Sequence, residues 1–366
     1  MYISEIRLKN FRNYRECLAE LSPKVNILRG ANAQGKTNLA EAIYYVCVGR
    51  SPRTPRDREL IRWDTEAAYV SATAVKSYGK IKVEGYLTKN EKRISINSIP
   101  ISRMGELMGA INAVFFSPDE LIVVKESPSD RRRFLDIDIC QLSKAYFYAL
   151  NRYNKILAQR NRLLKKGGDI GTQLDVWDLQ LIEPAAKIIS ARINFVEKLK
   201  VYAAEAHAYL SGGKETLELS YEGIADCGSE DLKGAYLAEL KRTREKDLLN
   251  GFTTSGAHKD DLIIRVNGAD IRTYGSQGQQ RTAILALKLA ELEIFASEIG
   301  EYPVLILDDV FSELDGARQH KLLERIKNVQ TLITCTDTVL EIQGARVFEV
   351  KAGEFTQNGF VVFVAE

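Results

Sequence analysis

Histidine, cysteine and net charge are what this 366-residue chain has little of. There are three histidines and five cysteines. Cys17, Cys47, Cys140, Cys227 and Cys335 are scattered, odd in number and without C-x-x-C spacing, which argues against a disulfide framework or a zinc site and for reduced thiols in a cytoplasmic protein. No run approaches the ~18 consecutive apolar residues that a membrane-spanning helix needs, so no membrane association is expected. Met1 to Lys9 alternates apolar with polar and has no charged-then-apolar leader, so it reads as a strand and not as a signal peptide. The formal net charge is +2, and any nucleic-acid surface must therefore be a local patch.

The apolar fraction of 45% and the charged fraction of 27% suit a soluble globular protein, and the length allows one to three domains. The most informative stretch is Gly30-Ala-Asn-Ala-Gln-Gly-Lys36-Thr37, which reads G-x-x-x-x-G-K-[ST] between an apolar run, Val25 to Leu28, and a helical run opening at Asn38. Strand, loop and helix follow in the order a phosphate cradle requires. Gly30 and Gly35 let backbone N–H groups close on phosphate oxygens, and Ala31, Asn32, Ala33 and Gln34 form the rest of the cradle. Lys36 can reach the β- and γ-phosphates, and the Thr37 hydroxyl can ligate Mg²⁺. By itself the loop says only that the chain binds a nucleoside triphosphate.

Upstream, Phe11-Arg-Asn-Tyr14 forms a polar-aromatic corner between a first strand and a returning one at Leu18 to Leu21. Arg12 and Asn13 lie near the loop in sequence and are nucleotide-contact candidates; a buried turn with an exposed Arg12 is the alternative. Gly49 should stop the helix that follows Lys36. Arg50-Ser-Pro-Arg-Thr-Pro-Arg-Asp-Arg58 is an extended basic loop with two open readings, phosphate contact and a solvated charged surface. Residues 67–101 suit an antiparallel sheet beside the nucleotide core, and Val114 to Phe116 reads as a buried strand.

After Ser127 as a cap and Pro128 in the first turn, one long helix is expected, with a stripe of Leu135, Ile139, Leu142, Tyr146, Ala149, Tyr153, Ile156 and Leu163. Lys165 to Gly171 breaks it. A second stripe, Trp177, Leu181, Ile188, Arg192, Phe195, Leu199, Tyr202, Ala206 and Tyr209, is crossed by Pro184, which should kink its helix. Two helices of roughly 35 residues joined by a glycine turn make an antiparallel hairpin of about 50 Å, a modest arm whose stripes are core. A strand over 217–221, a charged helix over 231–249 and a β-hairpin pairing 262–266 with 270–273 should follow. His258 has no partner at catalytic or metal-ligand spacing, so a structural role is expected. The expected division is an ATPase lobe of residues 1–118 and 252–366 and an inserted helical arm lobe of residues 119–251.

Tyr274-Gly-Ser276-Gln-Gly278-Gln-Gln-Arg281 precedes a helix expected over 282–295 and is a second place where small residues bring N–H groups to an anion. Ser276 and Gly278 are its contact candidates. Pro303 to Leu307 is a buried strand ending in Asp308 and Asp309. Asp308 joins Thr37 as a candidate Mg²⁺ ligand, and Asp309 can orient or deprotonate the attacking water. Lys36, Ser276, Asp308 and Asp309 are thus the catalytic candidates. Thr336 and Asp337, at the end of a strand that starts at Thr331, are placed to sense a γ-phosphate.

Phosphate loop, inserted arm, serine-glycine signature, paired acids and the Ser312-Glu-Leu-Asp315 loop come in the order that resembles ABC-type ATPase heads. Phe116-Ser-Pro-Asp-Glu120, Ser127 to Asp136, Gln159-Arg-Asn161, Ser276 to Arg281 and Asp308 to Asp315 are similar, more selectively, to the RecF family of bacterial recombinational repair. The resemblance covers essentially the whole chain. It implies an α/β fold: an ABC-type P-loop ATPase head with an antiparallel β subdomain and an inserted helical lobe. It also implies ATP and Mg²⁺ as cofactors and an ATP-dependent homodimer, in which Ser276 and Ser312 to Asp315 of one subunit complete the site of the other. Weak DNA-stimulated hydrolysis would release the dimer from duplex or gapped DNA, and RecR with RecO would be partners in RecA loading. The chain departs from the pattern where Asp309 replaces Glu, where no Gln stands near Ser117 (Asp119 or Glu120 is the candidate substitute), and where Ser255-Gly-Ala257 lacks a proline. A transporter ATPase subunit would carry an LSGGQ-like signature, and an SMC-type tether a far longer coiled coil.

Overall fold

The computed structural model describes residues 1–168, 170–224, 231–336 and 342–357, so Cys227 and Asp337 lie outside the described residues. Two compact units are formed, residues 1–120 with 288–366 and residues 121–287.

Two kinds of strand build the first unit. In β1 (Tyr2–Phe11) and β2 (Tyr14–Glu20) burial alternates: Ile6 and Leu8 are buried while Arg7 and Lys9 stay in solvent. β3 (Val25–Arg29) is instead buried over four successive residues, the mark of a strand covered on both faces. It leads through the phosphate loop into α1 (Lys36–Val48), which ends at Gly49 in the left-handed conformation, φ 73°. β4 (Ala67–Lys76), β5 (Gly79–Thr88), β6 (Lys92–Ile96) and β7 (Ile99–Pro100) extend the first pair into a six-stranded antiparallel sheet of order β2-β1-β4-β5-β6-β7. The all-buried β8 (Ala113–Phe116) belongs to the other sheet.

In the second unit α2 (Ile122–Lys125) precedes α3 (Pro128–Leu142) and α4 (Lys144–Lys166). The single long helix expected here is therefore broken at Ser143, whose hydroxyl caps α4 by accepting from the Tyr146 amide at 3.2 Å. α5 (Gly171–Ser211) contains Pro184 without ending there, and its 41 residues correspond to about 60 Å, longer than expected. Gly212 and Gly213 close it, donating to the carbonyls of Tyr209 and Ala208. The stripes do pack as core, and two arginines are buried within it, Arg192 of the second stripe and Arg160 outside either stripe. Arg160 binds Asp178 at 2.6 Å and Asp247 at 2.7 Å, and Arg192 binds Asp136 at 2.8 Å.

β9 (Leu217–Glu222) is followed by α6 (Leu232–Arg242) and α7 (Arg244–Asn250), two helices where one was expected. β10 (Asp261–Val266) pairs with β9 and with the two-residue β11 (Ala269–Asp270). The hairpin expected to run to Thr273 stops there because Asp270 caps α8 (Ile271–Tyr274), accepting from the Thr273 amide at 3.0 Å. Residues 252–276 stand with the helical unit and not with the first: β10 lies on β9, Arg131 binds Asp261 at 2.7 Å, and Arg192 donates to the Ala257 carbonyl at 2.6 Å. The return expected at residue 252 is therefore at Lys288, inside α9 (Gln277–Ile299).

β12 (Val304–Asp308), α10 (Gly316–Arg325), β13 (Thr331–Cys335), β14 (Arg346–Lys351) and β15 (Glu354–Gln357) complete the first unit. The second sheet has the order β15-β14-β3-β13-β12-β8, with parallel pairing from β14 through β8. Its parallel core places the carboxyl ends of β3 and β12 on the same side of the sheet with β13 between them, which is where an open α/β sheet binds ligands. Cys17, Cys47, Cys140 and Cys335 are buried free thiols, and burial alone pushes the Cys17 thiol up to about 12.

Candidate nucleotide site and signature turn

The phosphate loop is held by neighbours that leave its glycines no room for a side chain. A Cβ on Gly30 would meet the Val350 carbonyl oxygen at 2.3 Å. Gly35, at φ 120°, would bring one to 2.7 Å from the Asn13 amide. Asn13 is a brace: its Nδ2 donates to the Gln34 carbonyl at 2.9 Å and its Oδ1 accepts from Asn38 at 2.8 Å. Gln34 is pinned on its other side, where the Gly353 and Ala352 amides donate to it at 2.9 and 2.7 Å. Ala31, Asn32 and Ala33 are exposed at the crest.

Gly35 is the N-cap of α1 and supplies no side-chain cap, and the first turn carries no acidic residue. The N–H groups at this helix end thus lack the side-chain acceptor that Ser, Thr or Asp would give, and the helix dipole favours an anion there. Lys36 is buried, with its Nζ donating to the Gly30 carbonyl and to the Ala31 carbonyl at 2.8 Å. A phosphate oxygen can replace those neutral acceptors with a charge-assisted one.

Thr37 Oγ1 donates to Asp308 Oδ1 at 2.9 Å, so α1 and β12 meet through a hydroxyl and a carboxylate. Thr334, one strand over on β13, donates to the same oxygen at 2.7 Å and accepts from the Asp309 amide at 2.9 Å. Burial raises the Asp308 carboxyl above its ordinary range, with the two threonine hydroxyls pulling against that. A cation beside it would relieve the burial cost. Among the described residues no group of three His, Cys, Asp or Glu side chains could hold a metal. A site of one hydroxyl and one carboxylate fits Mg²⁺, which takes one or two protein oxygens and fills its octahedron with water and phosphate.

Asp309 differs from its neighbour. It is exposed, and its backbone lies in the left-handed region at φ 57°, ending the strand and separating the two carboxylates. Ser312 Oγ donates to the Asp309 carbonyl at 2.7 Å. Asp315 is spent on α10, capping it through the Arg318 amide at 2.9 Å.

Arg12 takes the buried-turn alternative in part. Its guanidinium binds both oxygens of Glu41 at 2.8 Å and donates to the Glu59 carbonyl at 2.8 Å. Glu41, fully buried on α1, also receives the Ser51 hydroxyl and lies 3.6 Å from Arg53. The basic loop is thus partly committed to its own acids: Arg53 to Glu41 and Asn38, Arg56 to Glu59, whereas Arg50 and Arg58 are exposed. Glu120 forms an ion pair with Lys288 at 3.0 Å. Glu41 and Thr334 were missed at the sequence level, since a lone Glu on a helix and a Thr in a buried strand carry no pattern.

In the second unit Ser276 is exposed at the start of α9. Its Oγ accepts from the Gln279 amide at 3.2 Å, while its own amide donates to Gln279 Oε1 at 2.9 Å. This is a reciprocal capping box, legible in hindsight as S-x-x-Q. The Ser276 hydroxyl proton is left available to an outside acceptor. His258 is structural: its Nδ1 meets the Tyr153 hydroxyl at 2.7 Å and its Nε2 the Thr253 carbonyl at 3.0 Å, and burial lowers its pKa to about 4. Arg131 and Arg132 bind Asp261 and the Asp260 carbonyl.

A model of the RecF/RecN/SMC N terminal domain matches residues 2–357. The DNA replication and repair protein RecF of Halothermothrix orenii is 46% identical over 98% of this chain and 99% of its own length. Its counterpart in Alkaliphilus oremlandii is 44% identical over 97% of this chain and 100% of its own. A solved structure described as the recombination mediator protein RecF-ATP in the RecFOR pathway is 37% identical, with a TM-score of 0.91 and 98% of each chain covered. With sequence and fold agreeing from end to end, this chain belongs to the RecF family of ABC-type ATPase heads.

Proposed function

We propose that the chain is an ATP-switched DNA-binding protein of replication and repair, and a weak ATPase whose site is completed by a second copy. The observation that carries this reading is the N-terminus of α1, which has no side-chain cap and stands next to the 2.9 Å pair of Thr37 and Asp308. Bound ATP with Mg²⁺ supplies the scissile phosphoanhydride and the cation that neutralises its oxygens. The chain's own groups do the rest. Gly30 to Gly35 wrap the phosphates with backbone donors, Lys36 adds charge, Thr37 and Asp308 hold the cation, and Asp309 orients water and accepts its proton. Arg12 and Asn13 keep the loop in shape from behind.

Ser276 and Gly278 belong to the other half of the site. Ser276 is exposed with a hydroxyl proton to give, so it can meet the phosphates bound by a partner copy. ATP then lies in the dimer interface, and hydrolysis opens it. Duplex or gapped DNA held by the closed dimer, with RecR and RecO as partners in RecA loading in the cytoplasm, is the setting the family supports. Among the described residues no helix is long and apolar enough to cross a membrane.

The test is oligomeric state by light scattering with ATP, with ADP and without nucleotide, for wild type, Lys36→Arg and Ser276→Arg. Only wild type with ATP should dimerise; a Ser276→Arg protein that still dimerises rules out the composite site. Retention of duplex DNA should require ATP and fall steeply with salt.

A further inference from the structure

We infer that Glu215 is a positioning residue for the signature turn, holding Ser276 through Gln279 and tying it to the C-terminal end of α5; this rests on the proposed role of Ser276. Gln279 uses both ends of its carboxamide. Its oxygen accepts the Ser276 amide at 2.9 Å, and its nitrogen donates to Glu215 Oε1 at 2.9 Å. A carboxamide has nearly the same shape after a half-turn, so the capping box alone does not decide which end faces Ser276. Glu215, an acceptor only when ionised, does decide it: the NH₂ must point to the carboxylate, which leaves the oxygen for Ser276.

Glu215 is itself held from both sides. It follows the Gly212–Gly213 stop of α5, and the next residue, Thr216, exchanges hydrogen bonds of 2.9 Å with Asn267 through its amide and carbonyl. Its second carboxylate oxygen lies 3.9 Å from Nε2 of His207, on the last turns of α5. His207 is fully buried; burial lowers its pKa, and Glu215 works against that. Packed beside Glu215, His207 links the arm helix to the carboxylate that sets the signature amide.

Gln279→Glu places two carboxylates against each other, and Glu215→Ala removes the acceptor. Each should weaken ATP-dependent dimerisation and lower turnover about tenfold, the effect of losing a hydrogen bond to a charged group. ATP affinity of the lone protomer, read with a fluorescent analogue, should stay at the wild-type value, because the phosphate loop is untouched. In the double variant Glu215→Gln with Gln279→Glu, donor and acceptor are exchanged and the carboxylate now at position 279 still accepts from the Ser276 amide, so turnover should return to within about twofold of wild type. That rescue separates positioning from a folding defect. Additive losses in the double variant overturn the inference. So does a Glu215→Ala protein that dimerises like wild type while Ser276→Arg does not. Dimerisation of Ser276→Arg overturns the composite site itself, and this inference with it.

Discussion

The two helix starts proposed to carry the site, α1 and α9, are built on small residues but treat their unpaired N–H groups differently. α1 has glycine at its cap and nothing acidic in its first turn, so its donors wait for a ligand. α9 pairs two of its donors itself: Ser276 and Gln279 exchange hydrogen bonds and Glu215 locks the exchange. A glycine-capped start costs the folded protein only about a few tenths of a kcal/mol relative to a side-chain cap, which an anion recovers on binding. A self-capped start is held in shape without ligand and presents the Ser276 hydroxyl proton. In the proposed function the first binds ATP within a single protomer, and the second is a preformed surface to which a partner copy brings its phosphates.

Removing the charge at the first start should have the largest effect. Lys36→Met should lower ATP turnover at least about 100-fold, as expected for a lost charge on the phosphates, and should also lower protomer ATP affinity. Ser276→Ala should lower turnover while leaving protomer affinity alone; equal losses of affinity in both would show that the two starts do not differ in this way. Asp309→Asn should cut turnover about 100-fold with ATP binding and dimerisation intact, trapping the dimer, and a variant that turns over normally would remove Asp309 from water activation.

Smaller effects sharpen the picture. Asn13→Ala removes the brace from the Gln34 carbonyl and from Asn38, and should weaken ATP binding about tenfold, measured by titration of the protomer. The smallest expected change is in pH dependence. The folded-state pKa of His258, about 4, lies below its ordinary 6.5, so the unfolded chain takes up the proton first and the stability His258 contributes is lost as pH falls from 6.5 towards 4. Between pH 7 and 5.5 that loss should be about 1 kcal/mol, seen as a fall in the thermal midpoint that His258→Gln lacks. Protomer ATP affinity should not follow it, because His258 stands in the helical unit.

Much of this was legible in the chain. The phosphate loop, the stop at Gly49 and the buried strands ending at Leu28, Phe116 and Asp308 all follow from glycine placement and runs of apolar residues. The break at Ser143 was not, because the apolar stripe continues through it at helical spacing and only the capping hydroxyl reveals the competition. Asp270 misled for the same reason, a side chain that starts a helical turn inside a strand-like pattern. The buried Arg160 was invisible, and Arg192 showed only as a member of the apolar stripe without its partner Asp136, because a charged residue is placed in a core only by the acids that meet it there.

What the sequence by itself determined is local: the conformations glycine permits, the periodicities that make a strand or a helix, and the phosphate-binding motif. The tertiary structure alone decided which groups meet. Thr37 and Asp308 are 271 residues apart and hydrogen-bonded, Arg12 finds Glu41, and Glu215 reaches Gln279. Periodicity reports which face of an element is apolar, whereas a polar pair depends on register between elements. That register is set only when each unit has packed its own sheet and helices.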